Sequence, residues 1–442
     1  MANVLVATAP AEGHVNVIMH LVKELVRRGN TVTWYTGKVF RDRVERTGAA
    51  FSPIVSGFDY GGMTHDEAFP HHVGLTGVKG MVAVFRDVFL GTAPDQLRDL
   101  SALAGELKPD VIVTDETTYA GGFLSELKGI PLVWAATSIY TLGSRDTAPF
   151  GMGLKPSSSF LGRLRNRTLK WTADHVLMRE LRRVADRTRA EVGLAPIAAG
   201  AFENIVRMPS LYLLGTVPSF EYPRSDLLPQ TRFVGPITGT PSDEFEAPHW
   251  WDDLRAHDTV VHLTQGTVAN EPERLLRPAI RALSALDALV VVTTGVPPEQ
   301  LDLGPLPDNV RVERFVPYHH LLPHADLLVT NGGYGGVTAA LSNGVPLVVA
   351  SATEDKNEVG AHVGWSGAGV HLKSGDDLER RLGEAVRRVL SEPSFRARAE
   401  RFGAEYRALN GPRRAAELIE ELAGGAGPRA GGPERERSPR HA

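Results

Sequence analysis

Asp326-Leu-Leu-Val-Thr-Asn-Gly-Gly-Tyr-Gly-Gly-Val-Thr-Ala-Ala-Leu-Ser-Asn-Gly344 decides the fold. Leu327 to Val329 is a short apolar run that reads as a buried parallel strand. Four glycines follow it, and then Val337, Ala340 and Leu341 fall at helical spacing. Strand, glycine-rich turn and helix together build an anion site. Glycines let the backbone approach a phosphate, and the first N–H groups of a helix lack intrahelical partners and carry the positive end of its dipole. A diphosphate is therefore expected on Gly335, Gly336 and Val337.

Working outward, Val345 to Ala350 is the next strand, and Gly344 before it suits a helix stop. Ser351-Ala-Thr-Glu-Asp-Lys-Asn357 then opens another helix, which places Asp355 and Lys356 beside the glycine turn. Loops at the carboxyl ends of parallel strands are where open α/β sheets bind ligands. Upstream, Val4 to Ala9 is a strand that runs through Pro10-Ala-Glu-Gly-His-Val15 into a helical face of Ile18, Leu21, Val22, Leu25 and Val26, stopped by Gly29. His14 is expected in that loop. Asp110-Val-Ile-Val-Thr-Asp115 is a second buried strand, ending on a carboxylate.

The 442 residues exceed what one core comfortably holds, so two domains are expected. The boundaries read as an N-terminal Rossmann-like domain at 1–234, a linker at 235–248 and a second Rossmann-like domain at 249–392. A C-terminal helix at 393–423 and a disordered tail at 424–442 complete the chain. A formal charge of −4 gives no general drive toward nucleic acid or anionic lipid, and the absence of cysteine rules out disulfides and thiolate metal sites. The N-terminus lacks the features of a signal peptide, and no apolar run is long enough to span a bilayer, so a cytoplasmic protein is expected. The first turn also lacks the G-x-G-x-x-G fingerprint of nicotinamide enzymes.

Taken in order, Gly13-His-Val-Asn16, Thr264-Gln-Gly-Thr267, Phe315-Val-Pro-Tyr318, Thr330 to Gly336 and Thr353-Glu-Asp-Lys356 resemble the motifs of the family 1 glycosyltransferases of the GT-B fold. The likeness is strongest to the bacterial enzymes of macrolide and other natural-product pathways, and it covers nearly the whole chain. It implies two facing Rossmann-like domains with a deep cleft between them. It also implies a UDP- or dTDP-sugar on the C-terminal domain, a small lipophilic hydroxylated acceptor on the N-terminal one, and an inverting transfer that needs neither metal nor cofactor. His14 is then the general base and Asp115 its partner. Thr267, Phe315, Val316, Asn331, Gly333, Gly335, Gly336, Val337, Asp355 and Lys356 become the donor-binding set. The final helix is expected to cross back to the N-terminal domain, and the chain to act as a monomer or homodimer.

Three positions depart from that family's pattern. Asn331 replaces its histidine, Gly336 replaces its serine or threonine, and Lys356 replaces its glutamine. Lys356 is offered as the positive charge that compensates for Asn331. Simpler readings stand beside these: His14 as a helix cap, the glycines as packing residues, Phe315 as core in an edge strand. His71-His72 and His319-His320 are read as surface residues, and 138–207 as a helical insertion able to cover an acceptor. Two other functions remain open at this point, a sugar-nucleotide epimerase and a non-catalytic partner of another transferase.

Overall fold

The computed structural model describes residues 1–237, 245–266, 271–351, 354–373 and 375–425, leaving aside the side chains of 354 and 355. The predicted sites Thr267 and the side chain of Asp355 lie outside these residues, as do half of the linker and nearly all of the tail.

Two parallel sheets carry the chain. The first comprises β1 (Asn3–Ala7), β2 (Thr31–Thr36), β3 (Ala50–Pro53), β4 (Val111–Thr114), β5 (Leu132–Ala135), β6 (Leu211–Leu214) and β7 (Thr231–Phe233), in the order β3-β2-β1-β4-β5-β6-β7. The second comprises β8 (Val260–Thr264), β9 (Leu289–Thr293), β10 (Val310–Glu313), β11 (Leu327–Thr330), β12 (Leu347–Ser351) and β13 (Gly369–Lys373), in the order β10-β9-β8-β11-β12-β13. All pairings are parallel, so helices must cover both faces, and the strands are correspondingly buried along most of their length.

In each sheet the order reverses once, between β1 and β4 and between β8 and β11. At such a reversal the connecting helices leave to opposite faces, and a crevice opens at the strands' carboxyl ends. The loops leading to His14 and Asp115 flank the first reversal. Those carrying Gln265 and Asn331 flank the second.

The C-terminal segment is a correction to the sequence reading. It holds two helices rather than one. Pro393–Arg407 stays on the second domain, where Ala399, Phe402 and Tyr406 pack with Val337 and Leu341. Gly411–Ala423 alone crosses back, burying Ala415, Ala416, Leu418 and Ile419 against Ile18, Leu21 and Leu25 of the Glu12–Arg27 helix. Glu420 fixes that crossing, taking Arg28 Nη2 at 2.7 Å and Asn30 Nδ2 at 2.7 Å.

A second bridge joins the domains at their carboxyl edges. The Gly151 and Gly153 N–H groups, beyond β5, donate to Glu358 of the Glu354–Ser366 helix at 3.1 and 2.7 Å. Beyond β6, buried Glu221 accepts from Arg224 at 2.8 Å and lies 3.5 Å from His362, whose ring stacks on Tyr222 at 3.6 Å. The carboxyl ends of both sheets are thereby brought toward each other.

Burial alone raises the Glu221 carboxyl. His362, Arg224 and the Tyr140 N–H outweigh this and hold it at about 2, below its ordinary 4.5. A depressed carboxyl stabilises the fold while ionised, so its contribution is lost as pH falls from about 4.5 toward about 2. Glu221→Ala leaves Arg224 and His362 buried without their carboxylate and is expected to cost about 3–5 kcal/mol. Thermal unfolding of the two proteins across that acid window checks both: the difference should be largest at neutral pH and shrink toward pH 2.

Candidate active site

His14 is the third residue of the helix Glu12–Arg27, not a loop residue as the sequence suggested, and the cap position is Ala11. It therefore does not cap the helix. Its Nδ1 lies 3.3 Å from Asp115 Oδ1, with the carboxylate wholly buried and the imidazole still partly open. The strand register makes this meeting possible, since Ala7 of β1 pairs with Thr114 of β4 and both chains turn away immediately afterwards.

Asp115 is held from all sides. Its Oδ1 accepts from the Thr117 N–H at 2.8 Å, the Thr117 hydroxyl at 2.5 Å and the Thr118 N–H at 3.0 Å; its Oδ2 accepts from the Thr118 hydroxyl at 2.7 Å and the Ala9 N–H at 3.1 Å. Burial works against the ionised form. The nearby His14 and the threonine donors overcome it and hold the carboxyl well below its usual range. A fixed carboxylate at Nδ1 selects the tautomer with its lone pair on Nε2, which is the form of imidazole able to take a proton from an alcohol.

Sequence reasoning passed over two neighbours. Glu116 accepts from the Thr137 N–H at 3.1 Å and the Tyr212 hydroxyl at 3.4 Å, and burial pushes its carboxyl up to about 7. Phe89 brings its ring within 6.4 Å of the His14 ring and leads through Phe85 to Phe202, an apolar wall beside the base. Neither had a local sequence signal, because Val84–Leu90 is wound more widely than an α-helix and so breaks its period, and Glu116 simply follows the expected carboxylate. The surface reading of His71 and His72 was wrong in part. His72 is buried, and both imidazoles hydrogen-bond Asp87 Oδ2, at 3.0 and 2.8 Å, with Arg86 forked onto the same carboxylate. These three groups sit close enough to share a metal, but the guanidinium on both Asp87 oxygens favours a structural network that braces the segment bearing Phe89.

On the second sheet the predicted cradle is displaced by one residue. The helix Tyr334–Ser342 begins after Gly333, and the Val337 N–H is already bonded to the Gly333 carbonyl at 3.1 Å. The helix-end donors are therefore those of Tyr334, Gly335 and Gly336, not Val337, which is buried core. A Cβ on Gly335 would meet open space. Gly332, at φ +94°, lies so close to Val349 and to the Lys356 carbonyl that only glycine fits.

Asn331 takes a role the sequence did not suggest. Its amide nitrogen bonds the Gln265 carbonyl and its amide oxygen accepts the Gly333 N–H at 3.3 Å, so it ties the two loops of the reversal together. Phe315 is 67% exposed beyond β10, which removes the core reading, whereas the Val316 side chain is buried with Trp250 and Leu321 and leaves only its backbone for a ligand. Lys356 sits in the first turn of the helix Glu354–Ser366, its backbone against Gly332.

The departure at Gly336 has a cause in the packing beside it. Tyr318 reaches under the helix start, its hydroxyl bonded to Thr264, and a Cβ on Gly336 would lie 2.9 Å from that hydroxyl. A serine or threonine at 336 would therefore have to displace Tyr318.

Comparison with known proteins agrees with this fold. Residues 277–422 match the family described as Erythromycin biosynthesis protein CIII-like, C-terminal domain. The chain is 59% identical over 421 residues to 4'-demethylrebeccamycin synthase of Lentzea aerocolonigenes, covering 95% of this chain and 99% of that one. The chain belongs to the natural-product glycosyltransferases of the GT-B fold. It is also 33% identical to UDP-glycosyltransferase 2 of Phaeomoniella chlamydospora over 95% of this chain and 96% of the relative. Among solved structures, the glycotransferase of kitacinnamycin superposes with a TM-score of 0.73 at 25% identity, covering 96% of this chain and 99% of that one. As a glycosyltransferase of this family the chain uses a nucleotide sugar, and among the described residues no helix is long and apolar enough to cross a membrane.

The contact between Tyr318 and Gly336 can be tested by double substitution. Gly336→Ser alone is expected to cost about 1–3 kcal/mol through crowding and to raise the donor KM. Adding Tyr318→Gln should recover most of both losses; equal damage in the single and double variants would show that the two positions are independent.

Proposed function

We propose that the protein transfers a sugar from a UDP- or dTDP-sugar to a hydroxyl of a small lipophilic natural product, with inversion and without a metal. The observation that carries this reading is the His14–Asp115 pair at the first reversal, 3.3 Å apart, with the carboxylate buried and the imidazole reachable.

In the proposed step His14 Nε2 takes the acceptor's hydroxyl proton as its oxygen forms a bond to the anomeric carbon. The bond from that carbon to the diphosphate oxygen breaks, and the electron pair leaves with the nucleoside diphosphate. A single displacement inverts the anomeric configuration. Asp115 stabilises the imidazolium that results. On the donor side, the Tyr334, Gly335 and Gly336 N–H groups at a helix N-terminus are suited to the charge that builds on the departing phosphate, which is the task a metal performs elsewhere. In this reading Phe315, whose exposure leaves its ring free for a ligand, stacks on the nucleobase, and Lys356, in the first turn of its helix, adds positive charge near the phosphate or sugar. The apolar wall of Phe89, Phe85 and Phe202 favours a lipophilic acceptor.

Incubation with UDP-glucose or dTDP-glucose and a panel of phenols, indoles and macrolides, read by mass spectrometry, should show a gain of one sugar that survives chelator. His14→Ala is expected to lower kcat by about 10²–10⁴ while leaving donor affinity unchanged; an undiminished rate would remove His14 as base. Lys356→Gln should raise the donor KM or lower kcat, and a variant with both unchanged would refute its part in donor binding.

A further inference from the structure

The helix Phe160–Thr172 is inside out. Its buried positions are Gly162 and Asn166, with Ala173 just beyond its end, and it is fastened by polar bonds: Arg163 Nε to Asp146 at 2.8 Å, Asn166 Nδ2 to the Arg145 carbonyl at 3.1 Å, Lys170 Nζ to Glu203 at 3.0 Å. Apart from half-buried Leu169, the large apolar side chains point the other way. Phe160, Leu164 and Trp171 recur at helical spacing on one outer face with Leu161 beside them, and Phe160, Leu161 and Trp171 are 82%, 73% and 59% exposed. Val176 and Leu177 continue the exposed apolar surface past the helix end. A soluble helix ordinarily turns such residues inward, so a contiguous outward set marks a contact surface.

Charge indicates what the surface contacts. Residues 155–189 hold ten Lys and Arg against three acidic residues, in a chain whose formal charge is −4. Arg165 and Arg167 are interleaved with the apolar residues, and Arg167, Arg179, Arg183 and Arg187 make no ion pair among the described residues. A second copy of the same face would bring arginine against arginine. Alternation of Trp, Phe and Leu with arginine on an exposed helix is instead the composition that lies in a bilayer interface, rings at the headgroup level and cations among lipid phosphates.

We propose that this face of the Phe160–Thr172 helix docks the protein, reversibly, on an anionic phospholipid surface. The inference is independent of which acceptor the enzyme uses. The residues involved lie in the 138–207 insertion, and none of them belongs to the His14–Asp115 pair or to the glycine turn of the second sheet.

Flotation of the full chain with vesicles tests it. Wild type should float with phosphatidylcholine vesicles containing about one third phosphatidylglycerol, should remain below with pure phosphatidylcholine, and should be released by about 0.5 M salt. Phe160→Ser with Trp171→Ser, and separately Arg165→Glu with Arg167→Glu, should each lower the bound fraction at least about tenfold with unfolding temperature and donor KM unchanged. Absence of flotation with the anionic vesicles overturns the proposal, as does equal flotation of wild type and both variants. Wild-type dimers by light scattering that both variants dissociate, without flotation, overturn it in favour of a second copy.

Discussion

A buried carboxylate with no freedom to move is the constraint on which the N-terminal half depends. Asp115 is removed from water at the end of β4, where an unpaired charge would cost several kcal/mol. Five donors from Ala9, Thr117 and Thr118 offset that cost and leave the carboxylate one orientation, toward His14. The threonines are therefore part of the machinery even though neither need touch a substrate. They fix the carboxylate, the carboxylate fixes the imidazole tautomer, and the register between β1 and β4 fixes the distance.

The C-terminal half solves the complementary problem without a charged side chain in its glycine turn. Asn331 spans the reversal between β8 and β11, Gly332 lets β12 and the helix after it approach, and the helix start presents backbone donors. Here positions depend on each other in pairs. Once Tyr318 fills the space under the helix, a side chain at 336 would have to displace it, so a motif that looks degraded when read residue by residue is a repacked one. What is lost is a hydroxyl donor; the N–H groups remain.

Much of this was legible because parallel sheets buried on both faces write themselves as apolar runs, and because each site sits where a strand ends in a turn. Most of the strands carried such a run. β7 and β13 did not: Thr231–Phe233 is a short strand with an arginine at its centre, and Gly369–Lys373 mixes histidine and lysine because it is an edge. The one-residue displacement of the phosphate cradle has a similar origin, since glycine propensity locates a helix start only loosely and the bond that decides it, Val337 N–H to Gly333, is a geometric fact. His72 and Glu116 were misjudged or missed because burial between segments distant in sequence leaves no local periodicity. The inverted helix is the opposite case: the insertion was legible as helical, but a sequence pattern cannot say which face is turned inward.

The bridge between the domains bears on how the two half-sites could cooperate. Glu358 lies in the same helix as Lys356, little more than half a turn away, and its carboxylate is held by backbone N–H groups of Gly151 and Gly153 from the acceptor-side insertion. The Gly151 carbonyl in turn accepts from Asn357 at 3.2 Å. A displacement of the helix bearing Lys356 must therefore pull on the 149–153 loop, and through it on the segment that leads to Phe160. Both partners are main-chain groups on the insertion, so side-chain changes there can alter what the insertion faces without disturbing the link. This division, with a rigid backbone tie on one side and free side-chain variation on the other, allows the surface of the insertion to change without moving the helix that bears Lys356.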